Sequence, residues 1–196
     1  MAPPNRANPP QRPKLPPIEV VDTVHDAQLD EAWQLYDTAF RGLNAMTVQR
    51  HLMFRPEFDD VMQDERIGKW LVAGRHGNLL GLATYTNDLA AWPLISPEYF
   101  AQRWPREYAE RRIWYCGFVA VPDHDPGVFT GLIEAMYHRA EGQRGVISLD
   151  ICRYNIESYR LDHAIALWLN CISNGQVRCE TADTQTFMVY ETAGAP

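Results

Sequence analysis

Asp150 is the first residue to ask what it is for. It lies in the run Gly145 to Cys152 (GVISLDIC), in which it is the only charged side chain. A carboxylate removed from water is costly unless it is paired. Asp150 therefore either faces a cleft, where it could take a proton from an amine, or is tied to a cation such as Arg153. Tyr115 and Cys116 stand side by side in a second apolar run and could face the same cleft, although packing is the ordinary role for both. The other cysteines are Cys152, Cys171 and Cys179, and no two of the four form a CxxC pair. They read as reduced thiols rather than a disulfide framework. The histidines at 25, 51, 76, 124, 138 and 163 form no HExxH or His-x-His pair, so no metal site is expected. There is no GxSxG elbow, no P-loop and no GxGxxG, which leaves hydrolase and nucleotide-binding readings without a motif.

Composition narrows the classes further. The 196 residues are 46% hydrophobic and include six Trp, enough for one domain with a real core. Net charge is −7, so a nucleic-acid partner is not expected, because phosphate contacts need clustered Lys and Arg. No apolar run is long enough to span a membrane, and the N-terminus lacks the apolar stretch of a secretory signal. A cytoplasmic location is the default. Residues 1–17 hold seven of the fourteen prolines and read as a disordered, proline-rich tail. Residues 18–196 form the domain.

The elements that must position these residues follow from periodicity. Ile18 to Val24 is a β-branched run and reads as a strand. Asp26 can cap a helix whose apolar face is Leu29, Trp33, Tyr36 and Phe40, with Gly42 ending it. Thr47 to Phe54 and Pro56 to Glu65 predict one broken helix or two short ones. Lys69 to Arg75 and Leu79 to Thr86 predict a hairpin turning at His76-Gly77-Asn78. Asn87 to Glu110 is an irregular insert with five aromatic residues and a helix start at Ser96-Pro97-Glu98. Ile113 to Val121 (IWYCGFVAV) reads as the buried central strand. A helix over Val128 to Glu141, a strand over Gly145 to Cys152, a helix from Asn155 and a last strand over Thr186 to Glu191 complete the order. This predicts an α/β fold with a mixed central sheet flanked by helices.

That order, with the segment from Ile113 to Asn170, resembles the GCN5-related N-acetyltransferase superfamily. The resemblance implies an acyl-CoA N-acyltransferase-like fold, with acetyl-CoA or another acyl-CoA as co-substrate. It implies that Phe118, Val119 and Val121 line the acyl end of the donor. The turn into the next helix, with His124, Gly127, Val128 and Phe129, would hold the pyrophosphate on backbone amides. Here the sequence departs from the family pattern. His124 stands where Arg or Gln is usual, and Phe129 replaces a small residue. Asp123 and Asp125 place negative charge beside the supposed diphosphate. Asn155 matches an Asn that opens the fourth helix, but Asp162 stands seven residues on, where the family often has the Tyr that protonates the departing thiolate. Tyr159 and His163 are the remaining donors on that helix.

Two readings follow. In the first, the protein moves an acetyl or other acyl group from CoA to a small-molecule or peptide amine, with Asp150 as base and Tyr159 or His163 as acid. In the second it is a non-catalytic binding or assembly module that kept the fold. Either leaves room for a homodimer.

Overall fold

The computed structural model describes residues 17–93, 95–121 and 125–192. Residues 1–16 of the expected tail, and His124, lie outside the described residues. The sheet has five strands in sequence order: β1 (Ile18–Val21), β2 (Gly68–Ala73), β3 (Leu79–Thr86), β4 (Ile113–Ala120) and β5 (Val146–Leu149). The first three neighbouring pairs are antiparallel and β4–β5 is parallel, so the sheet is mixed. β4 and β5 are joined through a helix, as a parallel crossover requires.

One face is covered by α1 (Asp26–Phe40) and α2 (Arg55–Gln63). Leu29, Ala32, Leu35 and Tyr36 of α1 and Phe58, Val61 and Met62 of α2 are buried there with Leu71, Leu82 and Phe118 of the sheet. The other face is covered by α5 (Pro126–Glu141) and α7 (Leu161–Ile172). Val128, Leu132, Ile133 and Met136 bury against Val72, Ala83, Tyr85 and Cys116. Gly81 on β3 lets this helix lie close, since a Cβ there would come within 2.6 Å of a Val128 methyl. The insert between β3 and β4 folds into a short 3₁₀ turn at Leu89–Ala91, α3 (Pro97–Arg103) and α4 (Pro105–Ala109). Ser96 caps α3 as its sequence predicts, its hydroxyl accepting from the Tyr99 amide at 3.3 Å.

Several expectations are corrected. Thr47 to Phe54 forms no helix, and Pro56 starts α2 rather than breaking it, because proline suits the first turn. Gly42 lies inside a 3₁₀ turn, Arg41–Ala45, that continues from α1. The helix expected from Asn155 is two: α6 (Arg153–Tyr159) and α7, separated by Arg160 in the left-handed region at φ 51°. The last strand expected over 186–191 is not formed; residues 176–192 carry no helix or strand.

One buried charge was not anticipated. Lys69 on β2 is fully buried, and its Nζ donates to the backbone carbonyls of Asp22 and Asp64, each at 2.7 Å. It ties the β1–α1 connection to the α2–β2 connection. Burial pushes its pKa down to about 8.

Candidate active site

The sheet opens between β4 and β5. Their pairing runs from Ile113↔Val146 to Cys116↔Leu149 and stops there, while β4 continues to Ala120. Gly117 to Ala120 thus have no partner on the β5 side. On the other side, the β3–β4 register shifts so that Thr84 faces Phe118 and Tyr85 faces Cys116. Gly117 is the extra residue of a bulge, a device that re-aims a strand. The Phe118 amide, the first beyond it, donates to the Thr84 hydroxyl at 3.2 Å. Trp92 from the insert lies against Gly117: a Cβ at this position would come 2.2 Å from the indole. The same indole tilts against the rings of Tyr115 and Phe118, 5.9 and 6.4 Å between centroids.

Asp150 stands at the mouth of this fork, one residue past the end of β5, and it is exposed rather than buried. The Tyr115 hydroxyl donates to Asp150 Oδ1 at 2.5 Å. Arg153, the other partner weighed for Asp150, bonds Glu157 instead, at 2.6 Å. Burial first, and then the Asp150 charge, raise the Tyr115 phenol above its ordinary pKa, so it stays a proton donor. Burial and the same carboxylate push the Cys116 thiol up to about 12. That makes it an inert core thiol rather than a nucleophile.

A third element reaches this corner. His51, in the α1–α2 connection, feels the Asp150 charge. Burial lowers its pKa, the carboxylate opposes that, and the net direction is down, which keeps the imidazole neutral at pH 7. Its segment is pinned. The amides of His51 and Leu52 donate to Asn44 Oδ1, and the Tyr36 hydroxyl donates to the His51 carbonyl at 3.0 Å. Arg50 holds Glu57 of α2 through two bonds of 2.6 and 2.7 Å.

The other expected site residues fall on several elements. Phe118 is buried among Tyr36, Phe40 and Phe58 on the α1–α2 face. Val119 is half-buried and Val121 buried. Gly127, Val128 and Phe129 form the first turn of α5, which packs on β3. The Asp125 carboxylate caps that turn, accepting from the amides of Gly127 at 2.8 Å and Val128 at 3.2 Å. Asn155 sits inside the first turn of α6, whose cap is Cys152. Tyr159 ends α6, exposed, with its ring edge-on to Tyr154. His163 is exposed in the first turn of α7.

Two cavities border the sheet. A small one of about 10 Å³ lies between α5, α7 and the paired part of β4–β5, lined by Tyr85, Cys116, Met136, Leu149 and Leu169. The Tyr85 hydroxyl has no hydrogen-bond partner among the described residues, and this space is enough for about one water. A larger recess of about 230 Å³ lies at the other end of β4, between Asp88, Tyr108, Arg111 and Ile113. Of the five insert aromatics only Tyr108 borders it, while Trp92, Phe100 and Trp104 pack into the core. Among the described residues no group of His, Cys, Asp and Glu could hold a metal, and no helix is long and apolar enough to cross a membrane.

No protein-family model and no curated protein sequence matches the chain. Solved structures do match in fold. The chain is similar to a protein described as a probable acetyltransferase, at a TM-score of 0.53 and 13% identity, over 90% of this chain and 99% of that one. It is also similar to a mutant protein from Bacillus halodurans, at a TM-score of 0.51 and 12% identity, over 88% and 99%. A third is an aminoglycoside acetyltransferase from an uncultured soil metagenomic sample, in complex with trehalose, at 0.50 and 12%, over 89% and 96%. The mixed five-stranded sheet flanked by helices is the acyl-CoA N-acyltransferase fold.

Proposed function

We propose that the protein is an N-acyltransferase that moves an acyl group from a CoA thioester to an amine at the β4–β5 fork. The observation that carries this reading is the Asp150 carboxylate, fixed by the Tyr115 hydroxyl where the two strands part. A fold alone does not assign chemistry, so the reading rests on that pair rather than on likeness.

In the proposed reaction the thioester carbonyl lies along Phe118 to Val121. The acceptor nitrogen attacks its carbon, and Asp150 takes the proton that the nitrogen loses. The C–S bond breaks, and the thiolate leaves as a thiol after taking a proton from Tyr159 or His163. Tyr115 acts by holding Asp150, since its own phenol is too weak an acid to lose its proton. The acceptor is a small-molecule or peptide amine, brought in beside Trp92. The diphosphate of the donor would lie on the Gly127 and Val128 amides, and it must displace the Asp125 carboxylate to do so.

That last contact favours a second reading, a non-catalytic module whose amide seat is filled by its own carboxylate. Calorimetric titration with acetyl-CoA and with free CoA separates the two. Saturable micromolar binding is expected, followed by release of free thiol in a screen of amines. Asp150→Asn should keep the binding and lose roughly 10²- to 10⁴-fold in turnover, the usual worth of a general base. No binding at millimolar ligand would establish the second reading instead.

A further inference from the structure

The recess of about 230 Å³ at the start of β4 has no part in the proposed acyl transfer. Ile113, the first residue of β4, lines it, and Phe118 at the fork lies about 17 Å further along the strand. Its floor is apolar: Leu89 and Ile113 meet there, both buried, with Ala90 beside them. The Tyr108 ring borders it, partly exposed. Its wall carries one charge of each sign, Arg111 and Asp88, with Nη2 and Oδ2 2.9 Å apart.

The backbones behind this pair are fixed. Arg111 is in the left-handed region at φ 52°, which few residues other than glycine adopt, and Asn87 Nδ2 donates to its carbonyl at 2.8 Å. The Asp88 amide donates to the Thr86 hydroxyl at 2.9 Å, and that hydroxyl donates to the Arg66 carbonyl at 2.7 Å. The side chains themselves can turn, since the Arg111 side chain is 62% exposed and an ion pair so open to water is weakly held. A molecule with an ammonium and a carboxylate on one carbon can open the pair and leave no charge unmatched. Its carboxylate takes the Arg111 fork and its ammonium takes Asp88. A lone anion would strand Asp88, and a lone cation would strand Arg111. The apolar floor and the Tyr108 ring suit an apolar side chain. The volume lies below the about 300–1,000 Å³ of pockets for drug-sized ligands, so it suits one small molecule and excludes CoA. We infer that this recess binds a free α-amino acid with an apolar side chain, such as leucine or phenylalanine. This inference does not depend on the proposed acyl transfer.

The test is calorimetric titration of the full chain with leucine, with leucinamide, which lacks the carboxylate, and with N-acetyl-leucine, which lacks the ammonium. Leucine should saturate at or below millimolar concentration, and each derivative should bind roughly tenfold more weakly or worse. Arg111→Asn removes the guanidinium with a residue that tolerates the left-handed region, and Asp88→Asn removes the carboxylate charge at the same size. Both should weaken leucine by a similar factor, with circular dichroism verifying the fold. Leucine should shift backbone amide resonances at 87–90 and 108–113. No saturation at millimolar leucine, derivatives that bind as well as leucine, or variants that bind it unchanged would each overturn the inference. So would amide shifts confined to 115–121 and 150, which would place leucine at the fork as an acceptor amine.

Discussion

Single side chains carry the proposed acyl transfer or stand in its way. Asp125 is the clearest case. A carboxylate at a helix N-terminus is stabilising, yet here it occupies the two amides that a diphosphate would use. Asp125→Asn keeps a cap of equal quality and removes the charge. It should tighten acetyl-CoA binding several-fold in calorimetry, with little change in thermal midpoint; unchanged affinity would mean that no diphosphate sits there. Lys69 gives a second prediction, with a sign fixed by proton counting. Its folded pKa is about 8 and its ordinary value 10.5, so between these the unfolded chain holds more protons. Its contribution to stability is therefore full above about 10.5 and is lost as pH falls through 8. The stability gap between the parent and Lys69→Met should move in the parent's favour from pH 8 to 10.5, read as the difference in denaturation midpoints. Asp150 was legible as a charge out of place in its strand. Its partner was not, because Tyr115 lies on β4 and Asp150 just past β5, and only the pairing of those strands brings them together.

At the scale of elements, legibility followed the length of the periodic signal. The spacing of Leu29, Trp33, Tyr36 and Phe40 marks α1, and IWYCGFVAV marks β4, because burial on one face or on both writes a long pattern. The break at Arg160 was not readable, since a left-handed arginine carries no residue-type signature. The strand expected at 186–191 had the right residue types but lacked a neighbour within the chain. The bulge at Gly117 lies between these extremes: a glycine in a strand hints at close approach, but what approaches is known only from Trp92. Gly117→Ala should cost about 1–3 kcal/mol, the usual penalty for overfilling a packed site. Denaturant unfolding would measure it, and Trp92→Phe in the same background should recover part of the loss. A neutral Gly117→Ala would mean that Trp92 moves freely off the strand.

The whole molecule is a three-layer domain with one core on each face of the sheet. β4 serves both: Phe118 packs in the α1–α2 core and Cys116 in the α5–α7 core, and the fork opens just beyond Cys116. Fold class and most of the element order could be read from the chain, while the pairing of Tyr115 with Asp150, the break at Arg160 and the lack of a strand over 186–191 could not.

The buried lysine has a chemical consequence of its own. The chain has only two lysines, Lys14 and Lys69, and Lys69 is enclosed between two carbonyls. The described part of the protein thus offers no exposed primary amine to a reactive thioester or active ester. Amine-reactive reagents should label the native protein at its N-terminal stretch alone, and mass spectrometry of peptides spanning Lys69 should show adducts only once denaturant opens the fold. A protein that handles activated acyl groups would, on these terms, be shielded from modifying its own body.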